Sequence, residues 1–151
     1  MPKRLTVEVI ARRQPTWLKP FTVASLRIIY AKLLKSKLPA KQRRRLAAAH
    51  SVTVGFVTPD EIKRLNGEFR GKNQPTDVLS FAPVEPGSLG DLIITMPLIR
   101  TQAKENGHSV RCELTYILLH GTLHLLGLDH GRQMFSVQDE VFDQLREKWL
   151  A

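Results

Sequence analysis

The sequence predicts an α+β fold. Short runs with strand alternation and longer runs with helical spacing follow one another in mixed order. At 151 residues and 42% hydrophobic composition, the chain is expected to form one domain spanning 1–151. It is long enough to bury on the order of two-thirds of the surface its unfolded form exposes. No low-complexity segment and no internal repeat interrupts it. About four strands and about five helices follow from the elements below.

Leu5 to Ile10 alternates and is rich in Val and Ile, which predicts a strand. Trp17 to Leu34 carries Phe21, Leu26, Ile29, Leu33 and Leu34 at helical spacing, with Pro20 in the first turn. Lys35 to Arg45 reads as a basic connection, helical in part. Ser51 to Val57 is a second strand. Thr58-Pro59-Asp60-Glu61 opens a helix reaching about Glu68. It has a threonine N-cap, proline at the first helical position, and two acids against the positive end of the helix dipole. Gly71 to Pro75 is a loop, Val78 to Ala82 a short strand, Pro83 to Gly90 a loop, and Asp91 to Thr95 a further strand. Pro97 to Asn106 reads as a helix ended by Gly107. Ser109 caps the next helix, which runs to Leu126. Ser136-Val137-Gln138-Asp139 resembles a capping box and opens a last helix to Trp149.

Charge is distributed unevenly. Residues 1–50 hold 13 of the 23 basic residues and one acid, Glu8, for a net +12; the remainder is net −3. The peak lies at Lys35, Lys37, Lys41, Arg43, Arg44 and Arg45. A one-sided basic region suits a polyanion, most often nucleic acid; the bland alternative is a solvated, solubilising face. The single cysteine, Cys112, rules out an intramolecular disulfide and fits a reducing compartment. The basic N-terminal residues have no apolar run behind them, so no signal peptide is expected. The stretch from Leu114 to Leu128 is too short to span a bilayer. The expectation is a soluble, cytoplasmic protein with no membrane partner.

Three of the five histidines fall within eleven residues, at His120, His124 and His130. The interval of four places His120 and His124 on one helix face. Gly127 then offers a left-handed turn that returns the chain and brings His130 to the pair. Two unpaired imidazoles on such an apolar helix would cost roughly 1–3 kcal/mol each, whereas one shared ion satisfies both. Three neutral imidazoles suit zinc, with nickel or copper able to take its place, and they leave a fourth position open. Cys112, about two turns before His120, reads as a core residue. Zinc proteases of the metzincin type share the histidine intervals and the glycine, but their general base is a glutamate where this chain has Gly121. Gly121 costs about 1 kcal/mol inside a helix relative to alanine, which implies a close approach there by another backbone or by a substrate.

The run His120-Gly-Thr-Leu-His124-Leu-Leu-Gly-Leu-Asp-His130 resembles the signature of the YbeY family of ribosomal-RNA-maturation endoribonucleases. Arg70-Gly-Lys-Asn-Gln-Pro-Thr-Asp-Val-Leu-Ser-Phe81 is similar to the family's second motif, and Leu89-Gly-Asp-Leu-Ile-Ile94 to its third. Leu65-Asn66 also sits where the family has it. The resemblance covers about residues 50 to 150. Leu128 stands where tyrosine is common, Ala82 replaces a usual proline, and the segment after His130 is shorter and less acidic than in the family.

The elements above suit a small mixed four-stranded sheet covered by about five helices, with the metal site at a helix end; the resemblance implies an α+β fold whose single metal lies at the bottom of a cleft. His120, His124 and His130 match the metal ligands, and Arg70 matches the functionally important arginine. It implies metal-dependent cleavage of single-stranded RNA in 3′-end maturation of small-subunit ribosomal RNA and in ribosome quality control. The expected cofactor is one zinc ion per chain, with nickel able to replace it. The expected partners are ribosomal RNA, the ribosome and ribosome-associated proteins. The residues suit that chemistry in their own right. Arg70 can make a bidentate contact to phosphate, although a salt bridge to a surface acid would also explain it. Asp77, Asp91 and Asp129 are candidates for orienting a histidine or acting as base. Two rival readings are a non-catalytic ribosome-assembly factor with a structural metal and a metalloprotease-like hydrolase.

Overall fold

In the computed structural model, residues 4–71 and 76–149 are described; the predicted loop residues 72–75 lie outside them. The elements run β1 (Thr6–Ala11), α1 (Leu18–Leu34), α2 (Ala40–Ala48), β2 (Ser51–Phe56), α3 (Pro59–Arg70), β3 (Val78–Phe81), β4 (Ser88–Ile94), α4 (Met96–Asn106), α5 (Val110–Leu125) and α6 (Arg132–Trp149). The fold is α+β, as the mixed order of patterns predicts, with six helices among the described residues in place of about five.

The sheet has the order β1-β2-β4-β3. β2 pairs in parallel with β1 and with β4, and β3 runs antiparallel to β4 at one edge. Side chains alternate across the sheet, and the register sorts them into two faces. Val7, Val9, Val52, Val54, Leu92 and Ile94 turn to the face on which α1 and α5 pack. α4 and α6 pack on α5, and α2 packs on α1. Phe81, Asp91, Thr53 and Glu8 share the opposite face. There the Phe69 ring of α3 meets Phe81 edge-on at 5.3 Å. No helix among the described residues is long and apolar enough to cross a membrane.

Local chemistry sets several boundaries where the sequence places them. The Thr58 hydroxyl accepts a hydrogen bond from the Glu61 amide at 3.2 Å, capping α3. The Ser109 hydroxyl accepts from the Cys112 amide at 3.0 Å, capping α5. Both satisfy amides that the first helical turn leaves unpaired.

Three elements differ most from the expectation. The helical part of the basic connection is a complete helix over residues 40–48, running past Arg45. Pro39 starts it in extended backbone, Leu38 and Leu46 are buried beside α1, and Arg43 Nη2 donates to the carbonyls of Ser36 and Leu38 at 2.8 and 2.7 Å. β4 begins at Ser88, three residues earlier than expected, because Ser88 pairs with Ser51 across an irregular step in the β2 ladder. α6 begins at Arg132, so Ser136 lies inside it and caps nothing. The extra turn is closed by the Phe135 amide donating to the Gly131 carbonyl at 3.0 Å, and it buries Met134.

Candidate metal centre

α5 carries His120 and His124 one turn apart, and a tight turn delivers His130 to them. The Leu128 amide donates to the Leu123 carbonyl at 3.1 Å and the Gly127 amide to the His124 carbonyl at 2.9 Å. This six-to-one and five-to-two pair closes a helix end through a left-handed residue. That residue is Gly127, at φ 90°, as the sequence predicts. The three imidazoles converge through their Nε2 atoms, separated by 3.2, 3.2 and 3.3 Å. His120 and His124 are half-buried and His130 is exposed.

Hydrogen bonds from outside the triad reach two of these rings. His120 Nδ1–H donates to Gln138 Oε1 at 2.7 Å, and Gln138 Nε2 donates to the Tyr116 hydroxyl at 3.0 Å. The Tyr116 ring also stacks on His120, with 6.1 Å between centroids and 15° between planes. With its proton on Nδ1, His120 presents a lone pair at Nε2 to the other two rings. The Leu128 backbone hydrogen-bonds His124, which by itself would raise its pKa. The net effect is nevertheless a pKa below the ordinary histidine value: burial is the largest cause, followed by His120 and His130, and then the charge of Arg70.

This donor set fits a divalent ion. Lone pairs about 3.2 Å apart repel one another unless a cation lies among them. A tetrahedral ion with Zn–N bonds of about 2.0–2.1 Å places its nitrogens about 3.3–3.4 Å apart, close to the observed triangle. Neutral imidazoles with the second nitrogen engaged are the usual form of such ligands. Among the described residues, these three histidines are the group that could hold a metal ion. Cys112 is buried in the core, where burial raises its thiol pKa.

Gly121 has a specific packing role. A Cβ at this position would lie 2.7 Å from Leu92 Cδ2 and 3.3 Å from Val78 Cγ2. The close approach is made by sheet side chains of β3 and β4, not by another backbone or a substrate. A glutamate here would drive into the sheet, so the protease base has no room at its usual place in the motif.

Arg70, at the end of α3, is exposed, and its Nη2 donates to the Ser80 carbonyl at 3.5 Å. The Ser80 hydroxyl in turn donates to the carbonyl of Gly121, next to His120, at 3.2 Å. These contacts tie Arg70 through Ser80 to the helix that carries His120 and His124, and its charge is the smallest of the influences that lower the His124 pKa. Among the described residues Arg70 forms no ion pair.

The carboxylates fare differently. Asp91 lies on the sheet face away from α5 and is removed as a partner of the triad. Asp77 contributes charge to Tyr116 and contacts Thr76 at 3.5 Å. Asp129 is exposed beside His130. The group that orients His120 is Gln138, which sequence reasoning missed. It lies 18 residues away, inside a segment whose pattern resembles a helix start.

Comparison with known proteins gives matches over most of the chain. A family model described as Endoribonuclease YbeY matches residues 21–146, beginning well before the residues that carry the motifs. The chain is 39% identical over 137 residues to the endoribonuclease YbeY of Bdellovibrio bacteriovorus, covering 86% of this chain and 88% of the relative. It is 39% identical over 133 residues to that of Bacillus cereus, covering 76% and 85%. The solution structure of TM1509 from Thermotoga maritima superposes with a TM-score of 0.64 at 27% identity, over 95% of this chain and 91% of that one.

Proposed function

The chain belongs to the YbeY endoribonuclease family, and from that membership we propose how its own residues cut RNA. The family is metal-dependent and known for 3′ maturation of small-subunit ribosomal RNA. In this chain His120, His124 and His130 hold one zinc ion, with nickel able to replace it, and Arg70 grips the phosphate to be cleaved. The substrate is single-stranded ribosomal RNA, met in the cytoplasm on or near the ribosome and its associated proteins.

The observation that carries this reading is the triangle of Nε2 atoms at 3.2–3.3 Å, with Arg70 tied through Ser80 to the same helix. A bound ion supplies Lewis-acid polarisation of a phosphoryl oxygen and activation of water. The protein supplies the rest. Gln138 and Tyr116 hold His120 in the tautomer whose Nε2 is free, and the turn at Gly127 sets His130. Arg70 offers a planar, permanently charged fork to two phosphate oxygens, a contact that lysine reproduces poorly. A purely structural zinc usually has four protein ligands. Three imidazoles with one of them exposed favour an open, reactive site, and so favour the nuclease over an assembly factor with a structural metal.

The test pairs elemental analysis with cleavage of a single-stranded oligoribonucleotide. Wild type is expected to carry about one equivalent of zinc and to cut. His124→Ala is expected to lose both metal and activity. Arg70→Lys is expected to keep the metal and to lose at least tenfold in kcat/KM. Undiminished cleavage by a metal-stripped preparation free of contaminating nucleases would sink the proposal.

A further inference from the structure

Phe135 stands apart from the rest of α6. The buried stripe of that helix is Met134, Val137, Gln138, Val141 and Leu145, a spacing that follows the helical repeat. Phe135 lies off that stripe. It is one of only four large apolar side chains left exposed among the described residues, with 41% of its surface accessible. Its ring is nonetheless held in a defined plane. It lies against the His130 imidazole with 5.9 Å between centroids and 16° between planes. An exposed aromatic ring adds nothing to the core, and at this position it is parallel to one edge of the histidine triad.

We propose that Phe135 is a stacking platform for an unpaired nucleobase of the RNA, next to the phosphate that reaches the triad. This deepens the RNA-cleaving reading and rests on it. An aromatic ring with an accessible face binds any base by stacking, worth roughly a 5- to 150-fold change in affinity when it is removed. A base within a duplex has both faces covered by its neighbours, so a platform here selects unstacked, single-stranded RNA. Because the ring is parallel to His130, a base laid on it belongs to the nucleotide at the triad or to its immediate neighbour. Arg70 and the histidines would then hold the phosphate, while Phe135 fixes which base step is presented. Stacking also tolerates every base, so this contact confers strand selectivity with little sequence preference.

The rival role for Phe135 is to brace His130. The two separate in an experiment that reads stacking directly. Zinc-loaded protein is mixed rapidly with a single-stranded oligoribonucleotide carrying one 2-aminopurine, and fluorescence is followed before cleavage develops. Wild type and Phe135→Trp are expected to quench the probe. Phe135→Leu, which keeps bulk and helix propensity, is expected to lose the quench and to bind on the order of tenfold more weakly. It should raise KM by a similar factor, with kcat within about threefold and zinc content unchanged. Wild-type quenching and KM in Phe135→Leu would overturn the platform, and so would loss of zinc from that variant, which would assign Phe135 to bracing His130. Cleavage in the same samples is scored separately. Quenching by wild type without cleavage would keep the platform and remove the nuclease reading.

Discussion

Gln138 shows how a neutral side chain can determine the state of a titratable one. It is 2% exposed, and both ends of its amide are used: the oxygen accepts from His120 and the nitrogen donates to Tyr116. That pairing keeps the His120 proton on Nδ1 and the lone pair on Nε2, the form a metal requires. Partners of this kind typically contribute 10- to 100-fold to metal affinity. Gln138→Leu preserves volume but removes the acceptor and leaves the Tyr116 hydroxyl without its donor. It is expected to lower zinc affinity by about that factor, measured by competition with a chromophoric chelator, while circular dichroism stays native. Gln138→Glu retains an acceptor at the same place and should restore most of the affinity. Equal affinity in the leucine variant and wild type would remove Gln138 from the site.

At the scale of elements, the site depends on how closely α5 can lie on the sheet. Gly121 sets that distance, with Leu92 and Val78 occupying the space a side chain would need. Alanine normally gains about 1 kcal/mol over glycine inside a helix. Here Leu92 is fully buried and its Cδ2 must shift within the core to admit a Cβ, and overpacking of this kind costs about 1–3 kcal/mol. Gly121→Ala is therefore expected to destabilise by about 1 kcal/mol net, and Gly121→Glu by several times that, read from urea denaturation midpoints. The same element shows what a sequence can and cannot disclose. Ser109, Thr58 and Gly127 were legible because a cap or a turn is chemistry among near neighbours in the chain. The histidine intervals were legible because a helix converts spacing into proximity. Gly121 disclosed only that something comes close; that it is the sheet depends on a contact across 29 residues of sequence. α2 was legible only in part: Lys, Gln, Arg and Ala favour a helix by propensity, but with Leu46 as its one buried residue it shows no apolar period that would fix its bounds. The start of α6 was misread because Ser136 and Asp139 imitate a cap, whereas burial of Met134 extends the helix past them.

Over the whole molecule, the basic helix α2 brings one of its arginines to the turn beside the metal centre. α2 packs against α1, and its Arg45 Nη1 lies 3.8 Å from the position a Cβ would take at Gly127, in the turn that carries His130 to the triad. Some of the basic groups of the first fifty residues are already engaged in holding the fold. Arg27 donates to the Leu5 carbonyl, Arg43 ties the α1–α2 connection, and Lys37 pairs with Glu140 at 3.8 Å. Lys41, Arg44 and Arg45 remain exposed on α2 and are the groups available to RNA phosphates. Each phosphate contact to a single strand contributes about 0.7 to the slope of log affinity against log salt, because binding releases condensed counterions. Replacing all three with alanine is expected to lower that slope by about 2. Affinity should fall similarly for unrelated single-stranded sequences, with zinc content and melting temperature unchanged. Arg43→Ala should instead lower the melting temperature, because two carbonyls lose their donor. A salt slope in the triple variant equal to that of wild type would mean that α2 is a solvated face, and that RNA approaches the triad along the Arg70 side of the molecule.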